Sequence, residues 1–222
     1  MSKDLPYSMT SCPDLAVVGP LDFELPKGLG QMPFIYLDAG LKHRSEVKKS
    51  NLESASFAIG DNDSFEGDSN LFDVLLEQKK DESDFSAAMK LLSLNQSDLE
   101  RIHLFGLLGQ RLDHQLALFG DLLRNLNFQD SLLVYFYDGQ KSLDSSMPKM
   151  ILFSENFETN LFGTFSLMSF QENSVSIEGD IEYPLSNHVL EPLTSRGLSN
   201  EARGKVKITS TAPLLLIIPE TT

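Results

Sequence analysis

Carboxylates are the residues of this chain best placed to do chemistry. Between positions 61 and 84 stand Asp61, Asp63, Glu66, Asp68, Asp73, Glu77, Asp81, Glu82 and Asp84, with only Lys79 and Lys80 to oppose them. Aimed into one cleft, that many like charges would repel one another and drive protons onto some of the group. Part of the run is therefore solvated surface, and part suits a cation. Asp61 and Asp63, two apart on a loop after an apolar run, can turn toward one point, and Asp81 with Asp84, three apart at the start of a helical stretch, can add a third ligand oxygen. Oxygen-only donors favour magnesium or a similar hard ion. A solvated acidic loop in which Asp84 stabilises the positive end of a helix fits composition and periodicity alone at least as well.

A second constellation is Gly106, Gly109, Arg111, Asp113 and His114. Two turn-forming residues, a guanidinium, an acid and an imidazole meet there at a strand-to-helix junction. Backbone N–H groups at a helix start, with an arginine fork matching phosphate oxygens, suit an anion that a metal bridges. The same residues also fit a plain ion pair at a helix cap, with His114 as a structural hydrogen-bonder. His43, His103 and His188 have no zinc-like spacing, and the single Cys12, between Ser11 and Pro13, lacks a neighbouring base and a disulfide partner.

The elements that must position these groups are short. Leu15 to Val18, Phe34 to Leu37, Phe57 to Ile59, Ile102 to Phe105 and Leu132 to Tyr137 read as strands. They run into Gly19, Asp38 with Gly40, Gly60 with Asp61, Gly106, and Asp138 with Gly139. Between them, Phe85, Ala88, Met89 and Leu92 fall at helical spacing, as do Leu112, Leu116, Phe119, Leu123 and Leu126, each stripe reading as core, with Ser83 or Asp84 capping the first helix. Strand and helix in alternation predict a mostly parallel sheet flanked by helices, whose ligands bind beyond the carboxyl ends of the strands. After a Ser- and Pro-bearing stretch from Lys141 to Lys149, the apolar runs become short and β-rich, separated by Asn, Gly and Pro. The fold class is thus α/β over residues 1–145, followed by an all-β sandwich or barrel over residues 146–222.

Composition narrows the functions. The 222 residues carry 18 Lys and Arg against 32 Asp and Glu, a net charge of −14, which disfavours generic nucleic acid and anionic membrane surfaces. No apolar stretch suits a signal peptide or a membrane span, and one cysteine fits a reducing compartment, so a cytoplasmic protein is expected.

The motifs resemble one family. Asp38-Ala39-Gly40, then Gly60 to Ser64, then Asp81 to Phe85, then Gly106 through Gly109 to Arg111, Leu112, Asp113 and His114, and finally Tyr183-Pro184-Leu185 and Arg196 to Glu201 follow the order of the thiamin pyrophosphokinase family. The resemblance runs from about residue 15 to the end. It implies a nucleotide-binding domain joined to a thiamin-binding β-sandwich, in a homodimer with active sites between subunits. The implied reaction moves a diphosphate from ATP to the hydroxyl of thiamin and releases AMP. Carried over by position, Asp61, Asp63 and Asp81 resemble the Mg2+ ligands, and Asp84, Arg111 and Asp113 the catalytic groups. Asp38, Ser64, Ser83, Gly106, Gly109 and His114 resemble the nucleotide site, and Ser199 with Asn200 the thiamin site. Either Asp84 or Asp113 would take the alcohol's proton. Ala39, Lys79, Gln110, Leu118, and Ala212 with Pro213 depart from the family pattern. They leave open a relative that binds nucleotide or thiamin without turnover, or accepts another substrate.

Overall fold

The structure, a computed structural model, describes residues 5–65, 67–78, 81–94, 98–109, 111–128, 132–137 and 148–219. Glu66, Lys79, Lys80, Gln110, Asp138, Gly139 and most of the expected joint lie outside the described residues. The described residues group into two compact units. One comprises residues up to Asn127 with Phe136 and Tyr137; the other comprises Phe128, residues 132–135 and residues 148–219.

In the first unit, a short helix α1 (Tyr7–Thr10) precedes strands β1 (Asp14–Val18) and β2 (Met32–Leu37). A 3-10 turn (Asp38–His43) and helix α2 (Arg44–Lys49) lead to β3 (Glu53–Gly60) and the two-residue β4 (Val74–Leu75). Helix α3 (Asp84–Ser93), strand β5 (Arg101–Phe105) and helix α4 (Leu112–Asn125) follow. The strand order is β4-β3-β2-β1-β5, and every pair in it is parallel. Such a sheet is covered on both faces, which is why β2 is buried along its whole length and reads as an unbroken apolar run.

The expected strands are all present, and α3 buries Phe85, Ala88, Met89 and Leu92 as its spacing requires. Ser83 is its N-cap, with Oγ accepting the Ser86 N–H at 3.0 Å. Helix α4 departs from expectation in which residues it buries. Leu118, Phe119, Leu122 and Leu126 are covered, whereas Leu112 and Leu116 stand exposed. The apolar stripe extends a full turn and more beyond the part of the helix that the core covers, and periodicity alone cannot see where a neighbour ends.

From β1 the chain adds β2, β3 and β4 on one side, then returns to place β5 on the other edge of β1, with Val18 beside Phe105. That reversal makes a switch point at the carboxyl ends of β1 and β5. The two strand-end loops lock together there: Gly19 N–H donates to the Phe105 carbonyl at 2.8 Å, and Leu21 N–H to the Gly106 carbonyl at 3.0 Å. Gly106 has φ +62°, and a Cβ on it would lie 2.4 Å from the Leu21 oxygen, so only glycine lets the loops approach this closely.

The second unit is all-β, as expected. Strand β6 (Leu133–Tyr137) begins in it, and the 20-residue β7 (Met150–Ser169), β8 (Asn173–Ile181), β9 (Leu185–Leu190) and the 18-residue β10 (Asn200–Ile217) complete it. Strands β7 and β10 run in opposite senses, Asn200 opposite Phe165 and Ser210 opposite Glu155. Near its end β10 has β7 on both edges, since Leu215 faces both Leu152 and Met168. The long β7 thus curves around its partner and encloses a core that includes Phe153, Phe157, Phe165, Val206, Ile208 and Leu214.

Candidate functional site

Three carboxylates converge at the carboxyl edge of the parallel sheet. Asp38 follows β2, Asp61 follows β3, and Asp84 is the first residue of α3; one oxygen from each lies within 4.8 Å of the others. Asp38 and Asp61 are buried and Asp84 is half-buried. Each belongs to a different chain segment, and adjacent parallel strands with the helix cap beyond them bring the segments to one rim. Like charges this close in a protected position oppose one another, and a hard dication relieves that opposition while accepting oxygen ligands only. The donor set therefore fits Mg2+.

Asp38 is held by backbone donors. Its Oδ1 accepts the Asn62 N–H at 3.0 Å and its Oδ2 the Ser64 N–H at 3.2 Å. Burial raises its pKa above the ordinary carboxylate value, the nearby Asp63 charge adds to the rise, and the backbone N–H donors pull the other way. Of the three expected metal ligands only Asp61 joins the cluster. Asp63 is exposed, its N–H donating to Asp61 Oδ1 at 3.3 Å and its carboxylate accepting the Ser64 hydroxyl at 2.7 Å. Asn62 between them has φ +58°, a left-handed turn that breaks the regular alternation of side chains. Asp81 is also exposed, ahead of the Ser83 cap and outside the first turn of α3 that directs Asp84. Asp38 and Asp84, expected as a nucleotide residue and a catalytic residue, complete the group instead.

A cleft of about 500 Å³ opens at the switch point. Ser83, Gly106, Gly109, Arg111 and His114 line it, as the sequence leads one to expect, together with Pro20, Leu21, Phe85, Leu107, Leu118 and Asp121. The Ser83 hydroxyl, besides capping α3, donates to Asp121 Oδ2 at 3.3 Å. Asp121 and Leu118 were legible in principle, because positions 111, 114, 118 and 121 share one face of a helix. Leu118 makes that wall apolar.

Arg111 grips Asp113 with both arms of its fork, Nε to Oδ1 at 3.1 Å and Nη2 to Oδ2 at 2.5 Å. That bond holds the Asp113 pKa down to about 2 and raises the pKa of Arg111, both side chains being exposed.

In the second unit, Glu182, Tyr183, Pro184, Leu185, Arg196, Gly197, Leu198 and Asn200 with Ile177 line a pocket of about 290 Å³. Both β-half motifs therefore meet at one place. Asn200 is buried, and its amide is already engaged: Oδ1 accepts the Tyr183 and Glu201 N–H groups at 3.1 and 2.8 Å, and Nδ2 donates to the Tyr183 carbonyl at 2.8 Å. It clasps the Tyr-Pro-Leu segment to β10. Ser199 is exposed in a left-handed conformation, φ +58°, its N–H donating to Ser166 Oγ at 3.0 Å, so its hydroxyl is the more accessible of the two expected thiamin contacts.

No protein-family model matches the chain, and none of the curated proteins matches it. Solved structures do. The thiamine pyrophosphokinase from Bacillus subtilis superposes with a TM-score of 0.65 at 17% identity, over 94% of this chain and 100% of that one. The thiamin pyrophosphokinase from Candida albicans gives 0.66 at 12% identity, over 95% and 90%. The one from Geobacillus thermodenitrificans gives 0.63 at 17%, over 94% and 99%. Across nearly its whole length, then, the chain has the fold of the thiamin pyrophosphokinases.

Proposed function

We propose that this protein is a divergent thiamin pyrophosphokinase, an enzyme that transfers a diphosphate from ATP to the hydroxyl of thiamin and releases AMP. The observation that carries the reading is the convergence of Asp38, Asp61 and Asp84 on one rim, beyond the strand ends of a fold shared with enzymes of that name. Asp61 and Asp84, with Asp38 behind them, would hold Mg2+. Bound there, the ion would offset charge on the triphosphate as the β-phosphorus is attacked.

The chain's own groups supply the rest. The cleft at the switch point takes the nucleotide, with Leu21, Leu107 and Leu118 excluding water and the Gly106 to Gly109 turn letting backbone approach phosphate. Arg111 offers a fork to phosphate oxygens once it exchanges Asp113 for them. Either Asp84 or Asp113, the latter once Arg111 leaves it for phosphate, would take the alcohol's proton. Thiamin is assigned to the pocket of the second unit, with Tyr183 as its aromatic wall and Ser199, between the lining residues Leu198 and Asn200, as a hydroxyl contact. The family resemblance further implies a homodimer in the cytoplasm.

The test is AMP formation from Mg2+-ATP in the presence and absence of thiamin, with the diphosphate ester detected directly. Thiamin-dependent AMP is expected. Calorimetric binding of nucleotide or thiamin without turnover would instead favour the binding-protein reading that the cleft-lining Leu118 keeps open. Neither binding nor turnover would refute both.

A further inference from the structure

We propose that Asp38 is a positioning residue, a carboxylate around which the Gly60 to Ser64 loop folds so that Asp61 is presented to its ligand. The loop after β3 is irregular and gains no order from a ladder or a helix. Besides the Asp63 N–H bond to Asp61, a side chain just past the end of the neighbouring strand holds it. Asp38 Oδ1 takes the Asn62 N–H and Oδ2 takes the Ser64 N–H, alternate amides of a turn that closes on the carboxylate as a backbone nest closes on an anion. Hydrogen bonds to an ionised acceptor are about twice as strong as neutral ones, and here they offset part of the cost of burying a carboxylate that is only 6% exposed.

The surrounding backbone is shaped to this grip. Asp38 itself is left-handed at φ +38°, and Asn62 at φ +58°; neither is a glycine. Gly60 presses so closely on Asp38 that a Cβ there would sit 2.7 Å from the Asp38 Cα. Strain at non-glycine residues persists only where surrounding contacts enforce it, and the two N–H bonds supply that enforcement. A carboxylate serving only as a ligand needs no such arrangement. Asparagine at this position keeps the shape and one acceptor oxygen but turns an NH2 group toward one of the two amides, which breaks half the grip without emptying the space.

Only the metal-binding part of the test rests on the proposed function. In the full-length protein without nucleotide, amide hydrogen exchange followed by NMR is expected to show Asn62 and Ser64 protected. Asp38→Asn is expected to accelerate exchange at one or both at least tenfold and to weaken Mn2+ binding, read by electron paramagnetic resonance, at least tenfold. Asp61→Asn should weaken Mn2+ binding but leave both amides protected. Exchange at free-peptide rates in the unaltered protein overturns the inference, a result that needs no variant to fold. So does an Asp38→Asn protein that loses Mn2+ while both amides keep their protection, since Asp38 would then act as a ligand alone. Protected amides in a protein that binds no Mn2+ would uphold the grip and refute the proposed function.

Discussion

The parallel sheet of the first unit carries charge at both edges, and the two edges are built on opposite principles. At the amino edge Asp14 meets Arg101 in a two-armed pair, Nε to Oδ1 at 2.6 Å and Nη2 to Oδ2 at 2.8 Å. His103 Nε2 adds a contact to Asp14 Oδ1 at 3.0 Å, and its Nδ1 lies 3.1 Å from the Tyr137 hydroxyl, whose ring stacks on Phe105. Opposite charges and matched donors close this edge on itself, and the Arg101 hydrogen bond is the chief reason the Asp14 pKa is lowered. At the carboxyl edge of the same sheet, Asp38, Asp61 and Asp84 bring charges of one sign together beside a cleft. The contrast separates structure from function: a self-satisfied network stabilises the fold as it stands, whereas a like-charged cluster is stabilised by what binds to it.

The sharpest way to break the comparison is Asp61→Asn. Loss of roughly 100- to 1,000-fold in thiamin-dependent AMP formation is expected, the size typical of removing one electrostatic contact to a transition state. Thermal melting should show stability held or increased, because a like charge has gone. Gly106→Val attacks the scaffold of the same edge; steric overlap with Leu21 in a left-handed conformation should cost about 3 kcal/mol in denaturant unfolding. The amino edge should respond in the opposite sense to Asp61. Asp14→Ala is expected to cost about 1–2 kcal/mol, less than a fully buried pair because Arg101 and Asp14 are 37% and 27% exposed, with AMP formation per folded molecule unchanged.

A smaller effect comes from pH. Burial lowers the His103 pKa from its ordinary 6.5, so the unfolded chain binds the proton more readily than the folded one. The stability this contributes is fully present above about pH 6.5 and is lost as pH falls through the lower folded value. Melting curves should show that loss in the unaltered protein and a flatter profile in His103→Gln. Smallest of all, Asp113→Asn should leave the melting temperature where it was, since Arg111 and Asp113 form an exposed surface pair.

The two edges were not equally legible in the sequence. Apolar runs ending in Gly19, Asp38, Gly60 and Gly106 located the carboxyl rim because strand length and turn chemistry are local properties. Membership of the carboxylate cluster was not local. Asp38 lies 23 positions before Asp61, and only the parallel pairing of β2 with β3 makes them neighbours. Asp63 looked equivalent to Asp61 until the left-handed Asn62 turned the loop. Asn200 belonged to a recognisable motif, yet its amide binds backbone, a distinction between clasp and contact that residue type does not carry. The amino edge went unread because Asp14 and Arg101 are far apart along the chain and begin strands whose registers alone bring them together. On α4, the apolar pattern continued past the part that the core covers, leaving Leu112 and Leu116 in solvent.

The most direct test of the central claim is one assay on two proteins: AMP and diphosphate-ester formation from saturating Mg2+-ATP and thiamin, by the unaltered chain and by Asp61→Asn. Turnover that requires thiamin and collapses in the variant, with folding intact by melting, is the expected result. Absence of AMP from the unaltered protein, or a variant as active as its parent, would contradict the account.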